Sequence, residues 1–232
     1  MASTHLARRR ETTKHPRRGR GKRRGRPAVG SYGNPADLEA FIERQMDPGR
    51  AAWQKPDRVV RALGLRRGQV VADVGAGPGF FSSRLARAVG PGGHVYAVDP
   101  EPAVLDVLRA RLARSRIRNV TPVLGRADDL LLPAGRCDLV LIVNAYHHVR
   151  GGPAFLRRLT WALARGGRIV NIDFEKRETP VGPPVEHRVA REAFLRQARR
   201  AGLATVAERG FLPYQYFVVL RPRRKTGVVG RP

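Results

Sequence analysis

From Gln69 onward the chain alternates short apolar runs with amphipathic stretches of 10–15 residues, and that alternation limits the folds open to it. The apolar runs are Val70–Val74, His94–Val98, Val120–Leu124, Leu139–Val143 and Arg168–Ile172. Apolar residues at helical spacing occupy Phe80–Val89, Pro102–Arg114, Pro153–Ala164 and Val189–Ala201. Strands alternating with helices build a parallel sheet covered on both faces, and runs this uniformly apolar suit strands buried on both sides. Two last runs, Ala204–Glu208 and Gln215–Leu220, are joined by a linker too short for a parallel crossover, so they predict an antiparallel hairpin. The expected fold is α/β: a doubly wound, seven-stranded, mostly parallel sheet with a C-terminal antiparallel hairpin. The segment from Pro35 to Leu65 predicts one or two helices ahead of it.

A chain of 232 residues with 42% hydrophobic content can bury one sizeable core. Its formal net charge of +26 favours anionic partners, but the distribution is uneven. Residues 1–30 carry eleven Lys and Arg against the single acid Glu11, and residues 221–232 carry five basic residues and no acid. The first 30 residues are polar and rich in Gly and Pro, so a disordered basic tail is expected over 1–30 and a basic C-terminal tail over 222–232. Between them lie a helical segment, 31–65, and the alternating core, 69–221. Only five of the 45 basic residues are Lys, an Arg bias that a GC-rich genome would also produce. The single cysteine, Cys137, excludes a disulfide framework or a cysteine zinc site within one chain, and no metal is expected. No apolar stretch approaches the roughly 20 residues that span a bilayer, and no apolar segment follows the N-terminal arginines. The expected location is cytoplasmic, with no membrane partner.

The chemistry concentrates where the first strand ends, in Asp73-Val74-Gly75-Ala76-Gly77-Pro78-Gly79 leading straight into a helix. Glycines let a backbone pass close under a ligand, and a glycine loop feeding a helix N-terminus reads as a nucleotide site at the carboxyl ends of the strands. The spacing is G-x-G-x-G rather than the G-x-G-x-x-G of a dinucleotide loop, and a carboxylate precedes it. Asp73 would repel a pyrophosphate but suits a ligand bearing an ammonium and a sulfonium. The second strand closes on Val98-Asp99-Pro100, and Asp99, twenty residues past Gly79, can accept hydrogen bonds from both ribose hydroxyls. The ligand read from these residues is adenosine with a cationic tail. Simpler readings stand beside this one: a ligand-free turn for Gly75–Gly79, and a helix cap for Asp99 ahead of Glu101-Pro102.

Asp-x-Gly-x-Gly-x-Gly, the acid closing strand two and the terminal hairpin resemble a class I S-adenosylmethionine-dependent methyltransferase, with its Rossmann-like fold, over roughly residues 35–221. The resemblance implies S-adenosylmethionine as cofactor. It implies that Asp73, Gly75, Ala76, Gly77 and Gly79 hold the methionine part, and Asp99 with Pro100 the ribose. After strand three, in Gly125-Arg126-Ala127-Asp128-Asp129-Leu130, the family places an acid against the adenine amino group, Asp128 being the first choice and Asp129 the second. Strand four ends in Val143-Asn144-Ala145-Tyr146-His147-His148, similar to the segment beneath the transferred methyl, so Asn144 joins the cofactor residues.

Methyl transfer from a sulfonium is an in-line displacement that mainly needs alignment and a dry site. Where the acceptor must first lose a proton, His147 or His148 is the candidate base, one of the pair packing and the other facing the acceptor, with Tyr146 open between core and pocket. Strand four lacks an Asn-Pro-Pro-Tyr segment, one Cys cannot serve arsenite methylation, and Arg150 stands where a short-chain dehydrogenase needs Lys after Tyr146. With no inserted cap, the acceptor is expected between Arg50, Trp53 and Gln54, the Pro-rich loop Thr179–His187, and Tyr214 and Tyr216 of the hairpin. Such a pocket suits a small molecule. The alternatives are an RNA- or DNA-directed methyltransferase using the basic N-terminal tail, which would bind nucleic acid at least non-specifically at low salt, and a non-catalytic cofactor-binding protein.

Overall fold

The computed structural model describes residues 37–126 and 129–223; the N-terminal basic tail, the C-terminal tail from residue 224 and Asp128 lie outside them. Three helices come first, α1 (Leu38–Met46), α2 (Arg50–Gln54) and α3 (Pro56–Leu63), where the sequence predicts one or two. Asp37 caps α1 by accepting from the Ala40 N–H at 3.0 Å, the usual way of satisfying an orphan helix donor. Between α2 and α3, Lys55 adopts a left-handed conformation (φ 45°) and Pro56 opens α3, so the backbone turns within one residue.

The strands are β1 (Val70–Val74), β2 (His94–Asp99), β3 (Val120–Leu124), β4 (Cys137–Val143), β5 (Leu163–Phe174), β6 (Leu203–Glu208) and β7 (Gln215–Pro222). The intervening helices are α4 (Ser82–Val89), α5 (Pro102–Arg114), α6 (Gly152–Ala162) and α7 (Arg191–Arg200). All seven strands form one sheet in the order β3-β2-β1-β4-β5-β7-β6, parallel except for the antiparallel β5–β7 and β7–β6 pairs. The doubly wound sheet and terminal hairpin are those expected. Strand order reverses between β1 and β4, which opens a crevice at their carboxyl ends.

Alternate residues of each central strand feed two cores. Val71, Leu139, Leu141 and Val143 pack with Leu85, Leu105 and Leu108 of α4 and α5. Ala72, Val74, Val140 and Ile142 pack with Phe155, Leu156, Leu159 and Phe194 of α6 and α7. Strand β7 divides likewise, with Phe217 and Val219 on the first face and Tyr216, Val218 and Leu220 on the second. Cys137 is fully buried at the start of β4, a core residue. Among the described residues no helix is long and apolar enough to cross a membrane. Leu85 is fully enclosed at the centre of the first core, so Leu85→Ala should lower the unfolding free energy by about 3 kcal/mol in a urea titration.

Candidate active site

The crevice holds a cavity of about 420 Å³, walled by the β1–α4 loop, the ends of β2 and β4, the segment after β3, and α1. Its polar groups come from Asp99, Asn144, His148 and Arg150, and its apolar lining from Val74, Val98, Leu130, Ile142 and Phe155. Helix α1 adds Phe41 and Gln45.

The glycine loop follows directly from geometry. Gly75 has φ 76°, and a Cβ there would lie 2.4 Å from the Ala145 Cβ, so this position brings the β1 loop onto the end of β4. Gly79 has φ 85°, and its absent Cβ leaves room for Leu108 of α5. Gly77 has φ 56° with open space around a notional Cβ, so conformation alone requires glycine there. Gly75 and Gly77 line the cavity; Ala76 is buried behind them.

Asp99 lies on the wall beside Pro100 with only 7% exposure. One carboxylate oxygen accepts from the Gly77 N–H at 2.8 Å and the other from the Glu101 N–H at 3.0 Å, while Glu101 itself caps α5. Burial raises the Asp99 pKa, against the two backbone donors. Asp73 is not on the cavity wall. Its carboxylate accepts from the Ser82 hydroxyl at 2.7 Å in the first turn of α4. Burial pushes its pKa up to about 6; the Ser82 bond and Arg50 oppose that rise, and the Asp99 charge adds to it.

The two histidines part company. His148 faces the cavity. Burial first, then the neighbouring His147, drops its pKa to about 4, so its ring is neutral at neutral pH. His147 is buried, and its Nδ1 lies 2.8 Å from Asp173 Oδ1 at the end of β5, whose other oxygen accepts from the His147 backbone N–H. The rings touch at 4.1 Å between centroids. Tyr146 turns away into the second core, donates to Gln197 at 2.6 Å and packs on Phe194, so its phenol does not reach the cavity.

Arg50, Trp53, Gln54, Tyr214 and Tyr216, expected around the acceptor, do not line this cavity either, and nor does the Pro-rich loop. Arg50 is buried 4.1 Å from the Phe80 ring centroid and donates to Gln45, and Trp53 packs on Phe174. Tyr216 is buried against Phe194, and Tyr214 is half-buried, its carbonyl accepting from the Glu175 N–H. Gln54 belongs to a closed ring of amides. It donates to Gln215 at 2.7 Å, Gln215 donates to Asn144, and Asn144 donates back to Gln54 at 3.1 Å. This ring ties α2 to the ends of β4 and β7. Asp129 is exposed, its carboxylate accepting from the Leu131 N–H, while Gly125, Arg126 and Leu130 line the cavity beside it.

Sequence reasoning did not assign Phe41, Gln45, Asp173 or Gln215 to the site. An acid closing the apolar run of β5 was the available signal for Asp173; the other three carry none. Among the described residues no cluster of three or more His, Cys, Asp or Glu could hold a metal ion.

Residues 71–167 match the family model described as a methyltransferase domain. A SAM-dependent methyltransferase from Aquifex aeolicus superposes with a TM-score of 0.76 at 25% identity, over 80% of this chain and 98% of that one. Over these residues the chain resembles class I methyltransferases. S-adenosylmethionine is the methyl donor of this family. The chain also resembles the ubiquinone/menaquinone biosynthesis C-methyltransferase UbiE of Vibrio vulnificus, 34% identical over 53% of this chain and 46% of that protein. A protein-L-isoaspartate O-methyltransferase of Methanothrix thermoacetophila is 44% identical over 27% of this chain and 30% of its own length. The chain thus spans less than half the length of the curated relatives it matches.

Two outcomes follow from this geometry. Gly75→Ala should destabilise the fold by about 3 kcal/mol through clash plus strain, and Gly77→Ala by only about 1 kcal/mol through strain alone, both read by chemical denaturation. For Asp73, the folded pKa near 6 exceeds the usual 3.8, so the fold binds the extra proton between those values and stability falls as pH rises through them. Relative to Asp73→Asn, the wild type should lose about 2 kcal/mol between pH 4 and pH 7 and almost nothing further above it.

Proposed function

We propose that the chain transfers a methyl group from S-adenosylmethionine to a small-molecule acceptor held in the cavity at the switch point. The observation that carries this reading is that the glycine loop and Asp99 line one cavity with a neutral imidazole, His148. Asp99 and Pro100 would hold the ribose, the Gly75–Gly77 backbone the methionine part, and Gly125, Arg126 and Leu130 the adenine side. Asp73, engaged by Ser82, would act through its charge rather than by contact.

The cofactor supplies a methyl group already activated on a sulfonium, so the protein's tasks are alignment and exclusion of water. Val74, Val98, Ile142 and Phe155 give the cavity a dry lining, and Phe41 and Gln45 make α1 its lid. For an acceptor that loses a proton, His148 is the group placed to take it, since burial keeps the ring unprotonated down to about pH 4. His147, held by Asp173, would set the orientation of that ring as a positioning residue.

Calorimetric titration of S-adenosylmethionine into the full chain should give micromolar affinity, weakened at least tenfold (about 1.4 kcal/mol) by Asp99→Ala. No binding by the folded wild type would reject the reading. His148→Ala should leave cofactor affinity within about twofold while cutting turnover at least tenfold on an acceptor with a dissociable proton. Unchanged turnover would remove the base role alone.

A further inference from the structure

A second cleft of about 450 Å³ lies behind the glycine loop, between α3, α4 and α5, and shares no lining residue with the cofactor cavity. Its walls carry Arg61, Arg84, Arg87 and Arg111 with the hydroxyl-bearing Ser83 and Ser115. We infer that this cleft binds a phosphate group.

Arg111 Nε is buried with no hydrogen-bond partner, and an unmet buried donor costs free energy unless a ligand supplies the acceptor. The only carboxylate on the wall, Asp57, is already engaged by Arg84 at 3.4 Å and stands 78% exposed, where it offsets little charge. Among the described residues no ion pair joins Arg61, Arg87 or Arg111 to a carboxylate. Arg84 is held in place, donating to the Phe80 carbonyl at 2.8 Å and stacking over its ring at 4.6 Å. Burial lowers the Arg111 pKa, and the charges of Arg114 and Arg84 lower it further, so like charges are crowded here with only the exposed Asp57 against them among the described lining residues. Several planar donor forks and two hydroxyls facing one space match the charge and the multiple acceptor oxygens of phosphate better than a carboxylate, which offers two. The phosphate could be free, as in a diphosphate, or part of a nucleic-acid backbone.

The test titrates pyrophosphate and a short single-stranded oligonucleotide into the full chain and into an Arg87→Gln/Arg111→Gln double variant at low salt. Pyrophosphate should bind the wild type below millimolar and the variant at least tenfold more weakly, with melting temperature and S-adenosylmethionine affinity essentially unchanged. If oligonucleotide affinity falls in the same proportion, the backbone is the source; if it is unaffected, free phosphate is the source and the basic tails hold the oligonucleotide. Absence of pyrophosphate binding, or equal binding by wild type and variant, overturns the inference. Should the double variant fail to fold, Arg61→Gln on the exposed side of α3 serves instead, with the same criteria at about threefold.

Discussion

One carboxylate holds the working end of this molecule together. Asp99 accepts the Gly77 N–H with one oxygen and the Glu101 N–H with the other, so the loop after β1 and the turn after β2 are set relative to each other by a single side chain. Both bonds lie in a buried environment, where an unpaired charge would be costly and a satisfied one is held firmly. Gly75 and Gly79 complete the arrangement from opposite sides by permitting close approach to Ala145 and Leu108. The helix cap is Glu101 rather than Asp99, which accepts from the Glu101 N–H just ahead of α5. The backbone donors fix the carboxylate at the cavity wall, where its remaining acceptor capacity faces the open space.

Helix α2 is joined to this end by cation–aromatic and amide contacts and α1 has no fully buried residue, whereas α3 is anchored in the first core by Val59 and Leu63. Phe80, the first residue past the glycine loop, has Arg50 at 4.1 Å and Arg84 at 4.6 Å from its ring. Arg50 in turn reaches Gln45 and Gln54. Desolvation lowers the Arg50 pKa only to about 10, which leaves it cationic, and Asp73 supplies the nearby negative charge. The two buried acids and the buried arginine thus form one electrostatic unit running from α2 under the glycine loop to β2.

The strands were legible because each carries enough apolar residues in succession to serve two cores, and β1, β3 and α5 have the limits read from the pattern. Helix α5 is marked at its start by Glu101-Pro102. Pro56 marks the start of α3 in the same way, but the left-handed turn at Lys55 has no sequence signal of its own; the lysine ammonium bonds the Phe211 carbonyl. Strand β5 begins at Leu163, ahead of its apolar run, because ladder pairing with β4 extends over residues whose side chains alone do not predict it. In the site, the loop and Asp99 could be found from spacing along a few residues. The lid residues, the Asp173 support of His147 and the amide ring depend on contacts between segments far apart in the chain. The residues expected around the acceptor lie off this cavity for the same reason. Trp53, Tyr214 and Tyr216 are aromatic and near the site in sequence logic, yet Trp53 packs on Phe174 and Tyr216 fills the second core.

The Gln54–Gln215–Asn144 ring has a sense of rotation: every amide gives through nitrogen to the next and receives through oxygen from the last. No member can flip alone without setting two nitrogens or two oxygens face to face. The three side chains consequently share a single conformational choice, spread over segments up to 161 residues apart. Departure of α2 from the strand ends must break two of those bonds together. Opening of the ring is in this sense a quantised event, closer to the release of a clasp than to the gradual loosening of a hinge.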